Sequence, residues 1–318
     1  MAEKPAGMID VHLHLIPPLY RDAVYAAGKG PAIGRYPDWS PQLMLDLMDR
    51  HGIALAITSI AQPGVAFMPD AQAADFARRC NDYAAALIAE HPKRFGCFGL
   101  LPMHDSDAAI AEARYCLETL RFEGISLFAS YGEEFLGDPA FDPLLRYLDD
   151  RHAVVHVHPG LHPSSRSLKL PWPAFMIEYV FDTTRAAVNL LFSGALERFA
   201  NIRFILSHAG GTLPFIAWRL SVAPMIDKRL QQRSREQIFA GLKAFWYDNA
   251  LASGPQPMGA LSRIAAPDRI LFGSDWPFCN DSVVAEEVKD FTAPGFLQPD
   301  AIAMIARDNA LKLFPQRR

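Results

Sequence analysis

Met8-Ile9-Asp10-Val11-His12-Leu13-His14-Leu15-Ile16-Pro17-Pro18 is the run on which the reading of the fold turns. Its Ile, Val and Leu residues predict a buried strand that stops at the proline pair. Side chains alternate between the two faces of a strand, so His12 and His14, two positions apart, point the same way. Two imidazoles side by side on rigid backbone are half of a transition-metal site. The run also bears on architecture. A doubly wound sheet carries a glycine-rich phosphate loop after its first strand, whereas here that place is taken by His14-Leu15-Ile16-Pro17-Pro18.

Working outward, seven more apolar runs of strand length follow, at 53–61, 94–102, 124–128, 153–159, 202–210, 245–251 and 269–277. Helical patterns alternate with them. Ser40-Pro41 reads as an N-cap with proline at the first helical position, Leu43, Leu47 and Met48 form the apolar stripe, and Gly52 ends the helix. Further helices are expected at 70–90, 105–120, after Asp138-Pro139, at 178–199 and at 211–236, with two more near 281–291 and 299–314 closing the chain. The connection 160–173, which holds Trp172, is long enough to predict a lid or wall of a site. Eight strands alternating with helices, with no polar linker between them, predict one parallel α/β domain spanning 1–318.

The candidate polar residues lie at the ends of strands one, five, six and eight. In an open sheet these could not meet, but in a closed barrel strands one and eight are neighbours. The sequence therefore predicts a single (β/α)₈ TIM barrel with extra C-terminal helices.

Bulk properties bound the function classes. Of the 318 residues 50% are hydrophobic and 21% charged, as in a globular chain with ample core. A formal net charge of −4 offers no broad attraction to nucleic acid or acidic membranes. Cys80, Cys97, Cys116 and Cys279 form no CxxC pair and read as reduced thiols. No apolar signal core and no 18-residue apolar run is seen. The expectation is a cytoplasmic protein with neither nucleic-acid nor membrane partners.

Four stretches carry chemistry. His156-Val157-His158-Pro159 repeats the same-face pattern of His12 and His14, with His158 nearer the strand end and His156 a layer deeper. His208, in Ser207-His208-Ala209-Gly210-Gly211, precedes glycines that let backbone or ligand come close. Asp275, in Gly273-Ser274-Asp275-Trp276-Pro277, is a carboxylate that a barrel interior holds at low cost only when paired or bound to metal. Imidazoles and a carboxylate together suit Zn²⁺, with Mn²⁺, Co²⁺ or Fe²⁺ as alternatives.

In these motifs (IDVHLH, HVHP, SHAGG and GSDWPF) the chain resembles the amidohydrolase superfamily, and within it the amidohydrolase-2 group. MDRHGI, HPKRFGCFGLLPM, LGDPAFDPL and FDTTRA extend the similarity nearly end to end. It is greatest to decarboxylases of the α-amino-β-carboxymuconate-ε-semialdehyde and 6-methylsalicylate types. The resemblance implies His12, His14, His158 and Asp275 as ligands of one divalent metal, with His208, and Asp275 besides, as acid/base groups. It further implies Arg35 as a grip on a substrate carboxylate, Trp172 as an aromatic wall, and a homodimer. An arginine lent across the dimer interface maps to Arg219 or Arg229, and the sequence does not choose. Binuclear relatives use a carboxylated lysine on strand four, and no lysine occurs between Lys93 and Lys169. A metal beside an imidazole supports either a metal-activated water, as in a lactonase or C–C bond hydrolase, or loss of CO₂ from an anionic substrate. Arg35 and the aromatic loop favour the second, on a small planar aromatic or unsaturated acid.

Overall fold

The structure is a computed structural model describing residue 5 and residues 7–168, 170–293 and 295–317. Among the described residues eight parallel strands form one sheet: β1 (Met8–His14), β2 (Ile53–Ser59), β3 (Phe95–Gly99), β4 (Gly124–Phe128), β5 (Val154–His158), β6 (Arg203–Leu206), β7 (Trp246–Asp248) and β8 (Ile270–Leu271). Each pairs with the next in chain order. The ring closes where Val11 N–H donates to Phe272 O at 2.9 Å and His14 N–H to Trp276 O at 2.7 Å. A parallel bridge joins Leu13 to Trp276 there. This is the (β/α)₈ barrel that the strand count and strand-end pattern predict.

Inside the ring runs a column of rings. Phe314, from the extra C-terminal helices, lies 6.0 Å from Phe98 of β3. Phe98 stacks on His156 at 5.3 Å, and His156 meets His12 at 4.8 Å. Below His156 the lumen is apolar, filled by Ile9, Val11, Leu55, Ile57 and Leu271 among others. The C-terminal segment is fixed under β8 by Asn309, whose amide donates to Pro267 O and Ile270 O, both at 2.8 Å.

A register shift between Asp10 and Leu13 places one more residue on β1 than on β2. This bulge lets Ile9 and Val11 belong to the lower lumen while His12 and His14 converge above it. The Asp10 carboxylate holds the bulge, accepting from His12 N–H at 2.9 Å and from the Ser274 N–H and hydroxyl at 3.2 and 2.6 Å.

Elsewhere the elements depart from expectation for local reasons. Helix Pro18–Ala26 occupies a stretch that the sequence reading left unassigned. The expected helix 178–199 runs Phe175–Phe192, then Ala195–Arg198 beyond Gly194, whose φ of 79° breaks it. The expected helix 211–236 stops at Ile226, and Arg235–Ala244 starts afresh from a Ser234–Gln237 capping box. Strand eight ends at Leu271, short of the expected 269–277, and Asp275 beyond it has φ 55°, outside any regular strand.

Candidate metal centre

Barrel closure brings four strand ends together. One ligating atom from each of His12, His14, His158 and Asp275 lies within 4.8 Å of all the others, and all four residues are buried. His12 Nε2 and His14 Nε2 face each other at 3.2 Å, and both approach Asp275 Oδ1, at 3.4 and 3.0 Å. Each imidazole is held from behind. His12 Nδ1–H donates to Asp248 Oδ2 at 2.9 Å, His14 Nδ1–H to Ser59 O at 3.3 Å, and His158 Nδ1–H to Pro159 O at 2.8 Å. With Nδ1 committed in all three, Nε2 is the nitrogen turned to the centre, the arrangement that orients metal-ligating histidines.

Electrostatics favour a cation here. Burial works to lower the His12 pKa, but Asp248 and Asp275 outweigh it and raise it to about 10. Burial holds His14 below the ordinary histidine value, and holds His158 well below it with help from the other two imidazoles. Burial would raise Asp275, yet hydrogen bonds from His12 and His14 keep it well below the usual carboxylate range. His14 and His158, held neutral, and the ionised Asp275 form a donor set that suits a borderline divalent metal, which His12 joins through Nε2 on giving up its proton.

His208 stands beside this group, its ring 5.0 Å from that of His12 and 6.2 Å from that of His158. Its Nδ1–H donates to Ala250 O at 3.0 Å, which leaves Nε2 as the reactive nitrogen. His208, Ala209, Gly210 and Gly211 all have positive φ. Gly211 is required at the end of that run, since a Cβ there would sit 2.1 Å from Val180 O. Gly273 is the other close approach, with a Cβ falling 2.7 Å from His12 Cβ.

Above the centre opens a cavity of about 540 Å³ lined by His158, His208 and Asp275, with Phe175, Tyr179 and Phe278 as aromatic walls and Gln62 at one side. Its size and mixed lining suit a small organic molecule with one polar end. The sequence pattern of the amidohydrolase family, moreover, matches residues 9–316. The chain belongs to the amidohydrolase family. It is 38% identical over 324 residues to a decarboxylase of Aspergillus niger, covering 97% of this chain and 87% of that one. It is 36% identical over 313 residues to the 6-methylsalicylic acid decarboxylase of Penicillium expansum, covering 97% and 96%. The fold matches a dihydroxybenzoic acid decarboxylase of Polaromonas solved with manganese and 2-nitroresorcinol, with a TM-score of 0.82, 23% identity and 98% of each chain covered.

This amidohydrolase places two of the sequence-predicted residues away from the cavity lining. Pro31, Ala32 and Ile33 turn into the cavity, but Arg35 faces a separate surface pocket with Arg21, Asp38 and Trp39. Trp172 is 69% exposed and packs with Leu168, Leu170 and Pro173 on the outer side. Phe175 and Met176, a few residues on, are the ones that reach the cavity. His156 lies deeper, as expected, donating from Nε2 to Asp248 Oδ2 at 3.3 Å.

Asp248 was missed from sequence. Fully buried, it accepts from His12, His156 and the His208 N–H, the last at 2.9 Å, and so ties three strand ends together. The available signal was a carboxylate directly after Trp246-Tyr247, the same placement that singled out Asp275.

Proposed function

We propose that this chain is a metal-dependent, non-oxidative decarboxylase of a small planar aromatic carboxylic acid, acting through one divalent ion on His12, His14, His158 and Asp275. The convergence of these four ligating atoms within 4.8 Å under an aromatic-walled cavity carries the reading. The decarboxylase relatives support the reaction class. Zinc is the metal suited to this donor set, and manganese, the ion in the Polaromonas structure, is the alternative. β4 offers no lysine to bridge a second ion.

When bound, the ion supplies a positive charge that holds the anionic end of the substrate and stabilises charge left as CO₂ departs. Phe175, Tyr179 and Phe278 clamp the ring. The bond between ring and carboxyl carbon breaks, its electron pair stays on the ring carbon, and a proton forms the new C–H bond. His208 Nε2, whose lone pair is left free by the Nδ1–H bond to Ala250 O, first takes up a proton from solvent and then, as an imidazolium, delivers it to that carbon. Asp275, held ionised, is placed to assist as a proton acceptor, with Oδ1 toward the histidines and Oδ2 toward Cys279 at 3.8 Å. Arg35 and Trp172 stand outside the lining that would touch the bound ring.

The chain acts as one unit over 1–318, in the cytoplasm, where its four buried free cysteines stay reduced. It works as a homodimer. Helix Leu213–Ile226 exposes Phe215, Trp218, Met225 and Ile226, an apolar face suited to a second copy. Arg229 is engaged by Asp227 in its own chain, at 3.0 Å, which leaves Arg219 on the apolar helix as the arginine presented to the partner.

The test is a screen of hydroxybenzoic and muconic acids against lactones with the metal-loaded protein, following CO₂ and acid release in parallel. CO₂ from an aromatic acid supports the proposal. Lactone turnover without CO₂ overturns it.

A further inference from the structure

Glu287 sits in helix Asp281–Phe291, only 6% exposed, and takes no part in the chemistry proposed above. One oxygen, Oε1, accepts from Leu251 N–H, and Oε2 is buried with no hydrogen-bond partner among the described residues. Burial drives its pKa well above the carboxylate range, opposed by the Leu251 N–H and reinforced by Asp275 and Asp10. A buried carboxyl with one hydrogen bond is costly, and an apolar residue would fill the space at lower cost. Its value therefore lies in what Leu251 holds.

Leu251 ends the turn that follows β7. Asn249 N–H donates to Leu271 O at 3.1 Å and Ala252 N–H to Asn249 O at 2.9 Å. Three further tethers follow the chain: Asn249 Oδ1 accepts from Gly273 N–H at 3.0 Å, Ala250 N–H donates to Asp248 Oδ1 at 3.2 Å, and Leu251 N–H donates to Glu287. Leu251 has φ 50°, a left-handed conformation that a non-glycine residue adopts only at a cost and keeps only when its surroundings enforce it. Between the second and third tethers lies the Ala250 carbonyl, the acceptor for His208 Nδ1–H.

We propose that Glu287 is a positioning residue for His208: by enforcing the left-handed turn at Leu251 it fixes the Ala250 carbonyl that sets the tautomer and aim of the imidazole. The inference rests on the acid/base role given to His208 above. The part required of Glu287 is an acceptor, not a charge.

Three variants test this. E287Q keeps the acceptor, E287L removes it at similar volume, and E287A serves if E287L does not fold. E287Q should turn over within about twofold of the parent. E287L should lower kcat by ~10–10²-fold, the scale of a misaimed catalytic group, with KM and metal content unchanged. In an H208A background E287L should cost nothing further. ¹⁵N NMR of the His208 ring, independent of turnover, should show a single Nδ1–H tautomer in the parent and E287Q, and a mixture in E287L or E287A. Equal losses from E287L with and without His208, an E287Q as impaired as E287L, or an unchanged tautomer in E287L would each overturn the inference. If H208A alone retains full turnover, the acid/base role of His208 falls, and the tautomer measurement still decides whether Glu287 positions the ring.

Discussion

The two halves of the barrel lumen are built from the same strands and share no chemistry. Below His156 the space is filled by carbon: Ile9, Val11, Phe98, Leu271 and the Phe314 that plugs the floor. Above it stand His12, His14, His158, Asp248 and Asp275, all buried and all groups that prefer water. The floor stabilises the fold by burial, at about 25 cal/mol per Å² of apolar surface. The upper layer costs free energy unless every polar atom finds a partner. One strand supplies both halves, because the Asp10 bulge turns consecutive residues Val11 and His12 into the same lumen. Stability and chemistry are thus separated by a few ångströms along β1, so the two can be disturbed independently.

The sharpest way to break the comparison is to remove a ligand. His14→Ala should reduce CO₂ release to background and empty the site by metal analysis, while thermal unfolding shows little loss. A His14→Ala protein that keeps its metal and its turnover would end the ligand assignment.

His208→Ala should lower kcat by ~10²–10⁴-fold, the usual worth of a general acid–base group, with metal content retained. Loss of metal as complete as in His158→Ala would make His208 a ligand instead.

Phe98→Ala probes the floor and should do the reverse. A cost of about 3–5 kcal/mol in chemical unfolding is expected for a buried Phe truncated to Ala, with kcat changed little. If kcat falls as it does for His14→Ala, the two halves are not separable.

Arg35→Lys should have the smallest effect. Facing a surface pocket, Arg35 is expected to contribute no more than an exposed ion pair, about 0.2–1 kcal/mol or up to about fivefold in kcat/KM. A much larger loss confined to carboxylated substrates would show that the loop carries Arg35 into the cavity.

The barrel and the strand-end pattern were legible because both are local signals. The HxH pairs, the SHAGG turn and Asp275 each lie within a few residues of an apolar run, and alternation along a strand puts each pair on one face. Asp248 was not legible, because its meaning depends on partners 236, 92 and 40 residues away that meet it only when the ring closes. Arg35 is a different case. Its sequence position marks the correct loop, whose Pro31–Ile33 do reach the cavity, but backbone turns within the loop decide which side chain points inward. Glu287 carries no local signal at all, since a glutamate in an amphipathic helix reads as a solvated face. The bulge at Asp10 was hidden because strict alternation already accounted for His12 and His14.

Metal titration of the metal-free protein, followed by CO₂ release from a hydroxybenzoic acid, bears most directly on the whole proposal. Activity should be absent at zero metal, rise linearly with added Zn²⁺ or Mn²⁺, and saturate at one ion per chain. Full CO₂ release without metal, or a requirement for two ions per chain, would contradict it.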